Sequence, residues 1–195
     1  MYNRIVCILF CTLFYQNSVL SAVTKYTFGR NSATITTGTH ICANGNSTQV
    51  TLSVDAILND KNPSRTNFGS SFDKRMKELD AKPGDHKGHI LASAFGGPAE
   101  TWNLAPQADN LNRKYRCRTS ILNVWYDCEK FVRDSLDSGK LPVKVKVVLD
   151  YENKNCRPTH WSIDAKSPSD ACTANHIANG ILPFGICQKA SLVIY

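Results

Sequence analysis

The sequence predicts an α+β domain held together by disulfides. Three observations give that class: β-branched runs towards both ends of the chain, an amphipathic helix between them, and six cysteines left after an N-terminal leader.

The leader comes first. Arg4 supplies a charged flank, residues 5–15 are apolar but too few to span a bilayer, and Val19-Leu20-Ser21-Ala22 offers small residues for cleavage after Ser21 or Ala22. Residues 1–22 therefore read as a signal peptide, with a membrane anchor as the alternative. Residues 23–195 are expected to form a single domain large enough to bury a core, with no membrane association after cleavage. Removing Arg4 lowers the formal charge of +7 by one. A basic secreted domain suits nucleic acid, acidic glycans or a membrane surface, and charge alone does not choose.

Residues 27–37 and 49–57 are rich in β-branched side chains and read as strands joined by turns. Residues 59–71 read as loop, and residues 71–79 as a short helix that ends before Pro83-Gly84. Residues 89–94 are expected to be a strand stopped by Gly96-Gly97-Pro98, and residues 108–116 to be helical. The clearest helix covers residues 120–138, where Ile121, Trp125, Cys128, Val132 and Leu136 make one stripe and Gly139 ends it. In residues 142–151, Val143, Val145 and Val147 alternate with Lys144 and Lys146, as in a half-buried strand. Residues 181–195 read as strand with turns.

Cys7 and Cys11 leave with the leader. Cys42, Cys117, Cys128, Cys156, Cys172 and Cys187 remain, an even set that suggests three disulfides in an oxidising compartment. Six cysteines can pair in fifteen ways; the short segment between Cys117 and Cys128 suggests that pair. No C-x-x-C spacing supports zinc. Asn46-Ser47-Thr48 is a glycosylation sequon and points to a surface loop.

The chemistry concentrates in Asp85-His86-Lys87-Gly88-His89, then Asn103-Leu104-Ala105-Pro106-Gln107, then Asn112 and a basic run of Arg113, Lys114, Arg116 and Arg118. A neutral imidazole accepts a proton at physiological pH, so His89 is the candidate general base; Gly88 before it permits a close approach of backbone or phosphate. A carboxamide oxygen can hold a hard cation, which makes Asn112 the preferred ligand and Asn110 its competitor. Lys87 and the basic run can neutralise phosphates, or form a solvated face. Trp102 and Tyr115 can stack on bases or pack in the core. Glu129 can act near a metal or make a surface ion pair. His40, His160 and His176 lack a surrounding pattern. Base, cation ligand and phosphate-binding cations together point to phosphodiester hydrolysis.

These motifs resemble the DNA/RNA non-specific endonuclease family, a ββα-metal or His-Me finger group that includes secreted sugar-nonspecific nucleases and endonuclease G. The family's D-R-G-H signature, or its D-x-x-G-H form, is matched by residues 85–89, and its N-[IL]-x-x-Q-x-x-x-x-N segment by residues 103–112. The resemblance covers roughly residues 50–151. It implies a ββα-metal core on an antiparallel sheet with flanking helices. It also implies that His89 is the general base, that Asn112 ligates the metal, that Asn103 positions the catalytic elements, that Gln107 orients the site, and that Glu129 is the acidic residue near the metal. The motif arginine is Lys87 here, a point charge without the bidentate fork. The implied activity is a secreted Mg²⁺-dependent endonuclease, with Mn²⁺ or Ca²⁺ able to stand in, acting on DNA or RNA with little sequence specificity because backbone chemistry reads no base edges. The rivals are a degenerate nucleic-acid- or glycan-binding protein on the same scaffold, and a metal-independent ribonuclease using two histidines with His86 as acid. DNA or RNA preference and oligomeric state do not follow from the sequence.

Overall fold

The computed structural model describes residues 21–61, 66–112, 115–117, 120–121, 124–180 and 190–192. Six strands form one antiparallel sheet: β1 (Ser21–Phe28), β2 (Asn31–Ile41), β3 (Ser47–Leu58), β8 (Val143–Asp150), β9 (His160–Lys166) and β10 (Ala171–Ala178), in that spatial order. The alternation read at β8 is real, since Val143, Val145, Val147 and Leu149 are buried while Lys144 and Lys146 are exposed. On the wet face, Lys146 pairs with Asp55 across the β3–β8 register.

The buried face is covered by α3 (Val124–Asp137). Its stripe of Trp125, Cys128, Val132 and Leu136 packs with Val145, Val147, Trp161 and Ile163 in the main core. The Trp125 and Trp161 rings meet edge to face at 5.4 Å, which adds to the burial of two large side chains. Cys128 lies on that stripe and bonds Cys172 of β10. The expected Cys117–Cys128 pairing is therefore wrong: Cys128 faces the sheet, not the preceding segment.

A smaller core lies under α1 (Asp73–Glu78), where Met76 and Leu79 pack with Val50, Leu104 and the Cys42–Cys156 disulfide. The remaining elements are short: β4 (His86–His89) paired with β5 (Leu104–Gln107), then α2 (Asp109–Asn112), β6 (Tyr115–Cys117), β7 (Ser120–Ile121) and β11 (Ala190–Leu192).

The class is thus mixed α and β with a large antiparallel sheet. Several expected boundaries differ. A turn at Gly29–Arg30 splits residues 27–37 into two strands of a hairpin, with Gly29 at φ 58°. The strand expected over residues 89–94 lies earlier, at β4, and residues 93–95 form a 3₁₀ turn instead. The helix expected over residues 108–116 is the single turn α2 followed by strand β6, and the long helix starts at Val124, with Ser120–Ile121 in β7. Strands β9 and β10 were not anticipated, although Trp161, Ile163 and Ala165 alternate as β8 does. Ser21 and Ala22, expected at the end of a leader, pair with Gly38 and Thr37 at the start of β1; residues 1–20, Cys187 and most of the tail lie outside the described residues. Among those described, no helix is long and apolar enough to cross a membrane.

Candidate active site

Strands β4 and β5 carry the two halves of the motif side by side. His86 faces Gln107, Lys87 faces Pro106, Gly88 faces Ala105 and His89 faces Leu104. Strand alternation puts His86 and Gly88 on one face and Lys87 and His89 on the other. The two faces have different neighbours.

Gly88 is there because nothing larger fits. A Cβ would come within 2.5 Å of Gln107 Cβ and 2.9 Å of the Ala105 carbonyl oxygen. The close approach inferred at this glycine is that of β5. Gln107 is buried against it.

His89 closes the strand on the face covered by residues 66–73. Its ring lies 4.2 Å from the Phe68 ring, centroid to centroid. Burial lowers its pKa to about 4, and a hydrogen bond to the Thr66 backbone opposes that shift. Nε2 is buried and has no hydrogen-bond partner among the described residues. A ring desolvated in this way favours its uncharged form. The ring is neutral at neutral pH. Lys87, on the same face, is tied to the neighbouring loop: Nζ donates to the Gly69 carbonyl at 2.7 Å and pairs with Asp73 at 2.6 Å.

The other face of β4 meets α2. Asn112 Nδ2 lies 2.7 Å from His86 Nδ1, and His86 Nε2 lies 2.9 Å from Asp109 Oδ1. Asp109 and Asn112 are one helical turn apart, so both face the strand. The Asn112 carboxamide is exposed at the end of α2, and it meets His86, not His89.

Asn103 is fully buried and its carboxamide is fully used. It accepts the Leu91 N–H at 2.7 Å and donates to the carbonyls of Leu91 at 3.0 Å and Pro98 at 2.9 Å. These bonds clamp the loop between β4 and β5 to the start of β5. Gly97 in that loop also has no room, since a Cβ would sit 1.7 Å from the Leu91 carbonyl oxygen. Asn103 therefore acts on the site through the backbone.

A buried network fixes the other end of the ribbon. Asp85, just before β4, receives both Arg157 Nε and Nη2 at 2.7 Å, with both side chains nearly inaccessible. Arg157 Nη1 donates to the Asn179 carbonyl at 2.6 Å. The Asn179 side chain accepts the Ala108 N–H and donates to the carbonyls of Pro106 and Pro158. Both motif strands are thus anchored to the end of β10. Cys156, next to Arg157, is bonded to Cys42, and Asp80 Oδ2 accepts the N–H of Ala43 and of Cys156.

Glu129 accepts a hydrogen bond from the buried Trp125 Nε1 at 3.0 Å. Trp102 packs against Tyr26 and the core, so its ring is partly spent on packing. Arg113, Lys114 and Arg118 lie outside the described residues, and Arg116 is placed in β6 by its backbone.

Sequence reading did not find Arg157, Asn179, Thr66 or Phe68, which come from distant segments without a local signal. Asp109 had one: it precedes Asn112 by three residues in an expected helix.

Potential ligand atoms of Cys42, Asp80 and Cys156 lie within 4.8 Å of one another. That cluster is no cation site, because the sulfurs are bonded to each other and the carboxylate oxygen is occupied by two N–H donors. The donor that suits a hard cation is the Asn112 carboxamide oxygen, since Nδ2 of that amide is the branch turned to His86.

Comparison with known proteins bears on the same segment. The chain is 32% identical over 85 residues to "Type VII secretion system protein EssD" of Staphylococcus aureus strains USA300 and NCTC 8325, covering 44% of this chain and 13% of each relative. The chain thus spans a small part of those relatives' length. The family model described as DNA/RNA non-specific endonuclease matches residues 43–169, which hold β4, β5, α2, Asn103 and Arg157. With that match over more than half its length, the chain belongs to the DNA/RNA non-specific endonuclease family.

Proposed function

We propose that the protein is a secreted, Mg²⁺-dependent endonuclease that hydrolyses DNA or RNA phosphodiesters with little sequence specificity. The observation that carries this reading is the place of His89 at the end of β4, beside the β5 half of the motif, with a ring that burial keeps neutral at neutral pH. A general base needs that arrangement.

His89 takes a proton from water, and the resulting hydroxide attacks phosphorus in line. The 3′ oxygen departs, so the product carries a 5′ phosphate. Phe68 holds the ring plane and excludes water from one side. We read β4, β5 and α2 as the ββα-metal core that the family resemblance implies. Among the described residues β4 pairs with no strand but β5. His89, on one face of β4, and Asn112, beside the other, are the two groups we assign to the scissile phosphate.

Asn112 is the residue that would hold Mg²⁺; the donor set, one neutral oxygen, fits a cation that keeps most of its waters. The ion supplies charge stabilisation to the phosphate and the departing oxygen. Asn103 positions the ribbon, and Lys87, Arg113, Lys114 and Arg116 neutralise neighbouring phosphates. Glu129, anchored by the Trp125 indole, supports the metal side of the site. Residues 1–22 serve as the signal peptide and residues 23–195 as one nuclease domain; the disulfides fit an oxidising compartment.

The test is incubation of the oxidised protein with plasmid and with total RNA, with Mg²⁺ and with EDTA. Cleavage abolished by EDTA is expected. Cleavage retained in EDTA favours a two-histidine ribonuclease, and no cleavage in either condition favours a degenerate binding protein. The engagement of both His86 nitrogens speaks against the two-histidine reading.

A further inference from the structure

His86 does a task that the general-base reading leaves unassigned. It sits between Asp109 and Asn112, one ring nitrogen towards each. A neutral imidazole carries one N–H. With a carboxylate oxygen 2.9 Å from Nε2, a lone pair there would face negative charge, so the proton belongs on Nε2. Nδ1 is then left as an acceptor, and the group 2.7 Å away is the Asn112 carboxamide nitrogen.

That bond decides which end of the amide faces outward. A carboxamide has one donor end and one acceptor end of nearly the same shape. At an exposed helix terminus, rotation by half a turn would replace a cation's oxygen ligand with an NH₂ group that cannot bind it. An acceptor at Nδ1 selects the orientation in which NH₂ points to the strand and Oδ1 points away.

We propose that His86 is a positioning residue for the metal: held by Asp109, it fixes the Asn112 carboxamide with Oδ1 presented to the cation. The proposal rests on the reading of Asn112 as the ligand. His86 is not a catalytic residue in this scheme. The Asp109–His86–Asn112 chain does for a carboxamide what partners behind a ligating side chain do in metal sites generally.

The test uses Mn²⁺ as the probe, followed by loss of the free-ion EPR signal, on the full chain with a short DNA duplex. A His89→Ala background prevents cleavage, and the signal of duplex alone is subtracted. His86→Ala and His86→Gln should weaken Mn²⁺ binding by about 10–100-fold, the usual worth of such partners. His86→Asn should stay near the parent, because its Oδ1 stands close to the place of Nδ1 and accepts the same N–H. The Mg²⁺ concentration for half-maximal cleavage should rise in the same order when His89 is present. If Asn112→Ala loses Mn²⁺ while His86→Ala and His86→Gln bind like the parent, the positioning role is overturned and Asn112 remains the ligand. If Asn112→Ala itself binds like the parent, the ligand assignment fails and this inference fails with it. Should His86→Ala not fold, the Asn and Gln variants decide: equal binding by those two overturns the proposal.

Discussion

The six-stranded sheet and the β4–β5 ribbon are built on different physics. The sheet is held by apolar burial: Val145, Val147, Ile163 and Trp161 pack under α3. The ribbon has only four residues per strand and is held by directed polar bonds. Asn103, Asn179 and the Asp85–Arg157 pair each fill a place that no other side chain could fill. The sheet therefore supplies stability and the ribbon supplies geometry. Substitutions in the two regions should differ in kind, not only in size.

The largest expected effect is on rate. His89→Ala should reduce cleavage by about 10²–10⁴-fold, the range for loss of a general base, with the unfolding midpoint unchanged or raised, since a desolvated ring is removed. Plasmid nicking and thermal denaturation together check this. Next comes the buried pair. Arg157→Ala leaves Asp85 charged and buried, and should cost about 3–5 kcal/mol in urea denaturation, with activity falling because β4 loses its anchor. Opening Cys42–Cys156 by a double Cys→Ser substitution should cost about 2–5 kcal/mol and also lower activity through neighbouring Arg157, which mass spectrometry and the same nicking assay would follow. Six free thiols in fully active protein would contradict the disulfide account. The smallest effect belongs to the sheet: Ile163→Val should cost about 0.5–1.5 kcal/mol and leave the cleavage rate alone. If Ile163→Val instead lowered the rate as Arg157→Ala does, the division between the two regions would collapse.

The same division separates what was legible in the sequence. Strand β8 and helix α3 follow from periodicity, because each buries one face and the pattern of residues records it, and β3 follows from its β-branched composition. The motif residues were legible as types and spacings. Their partners were not. Asp85 and Arg157 are 72 residues apart, and nothing near either announces the other. Asn103 reads as a possible catalytic group until its carboxamide is seen to be used up by Leu91 and Pro98. Local spacing suggested Cys117–Cys128, whereas the helix stripe carries Cys128 to β10. The β1–β2 turn was hidden because strand-favouring residues flank Gly29–Arg30 on both sides. Polar contacts over long separations leave no periodic trace, and the site is made of them.

Acid should weaken the protein through His89 as well as silence it. Its folded pKa, about 4, lies below the usual value of 6.5. As pH falls between those values, the unfolded chain takes up a proton that the folded ring refuses, so the native state loses stability across that window. Activity must therefore be read where circular dichroism shows the protein still folded.

The most direct test is the pH dependence of kcat/KM for DNA cleavage in saturating Mg²⁺, which reports the free enzyme's base. With His89 as the proton acceptor in a desolvated ring, the acid limb should fall nearer pH 4 than 6.5. The corresponding limb of kcat should lie higher, because bound phosphate favours the charged ring. A folded His89→Ala protein that cuts at the wild-type rate over the same range would contradict the account.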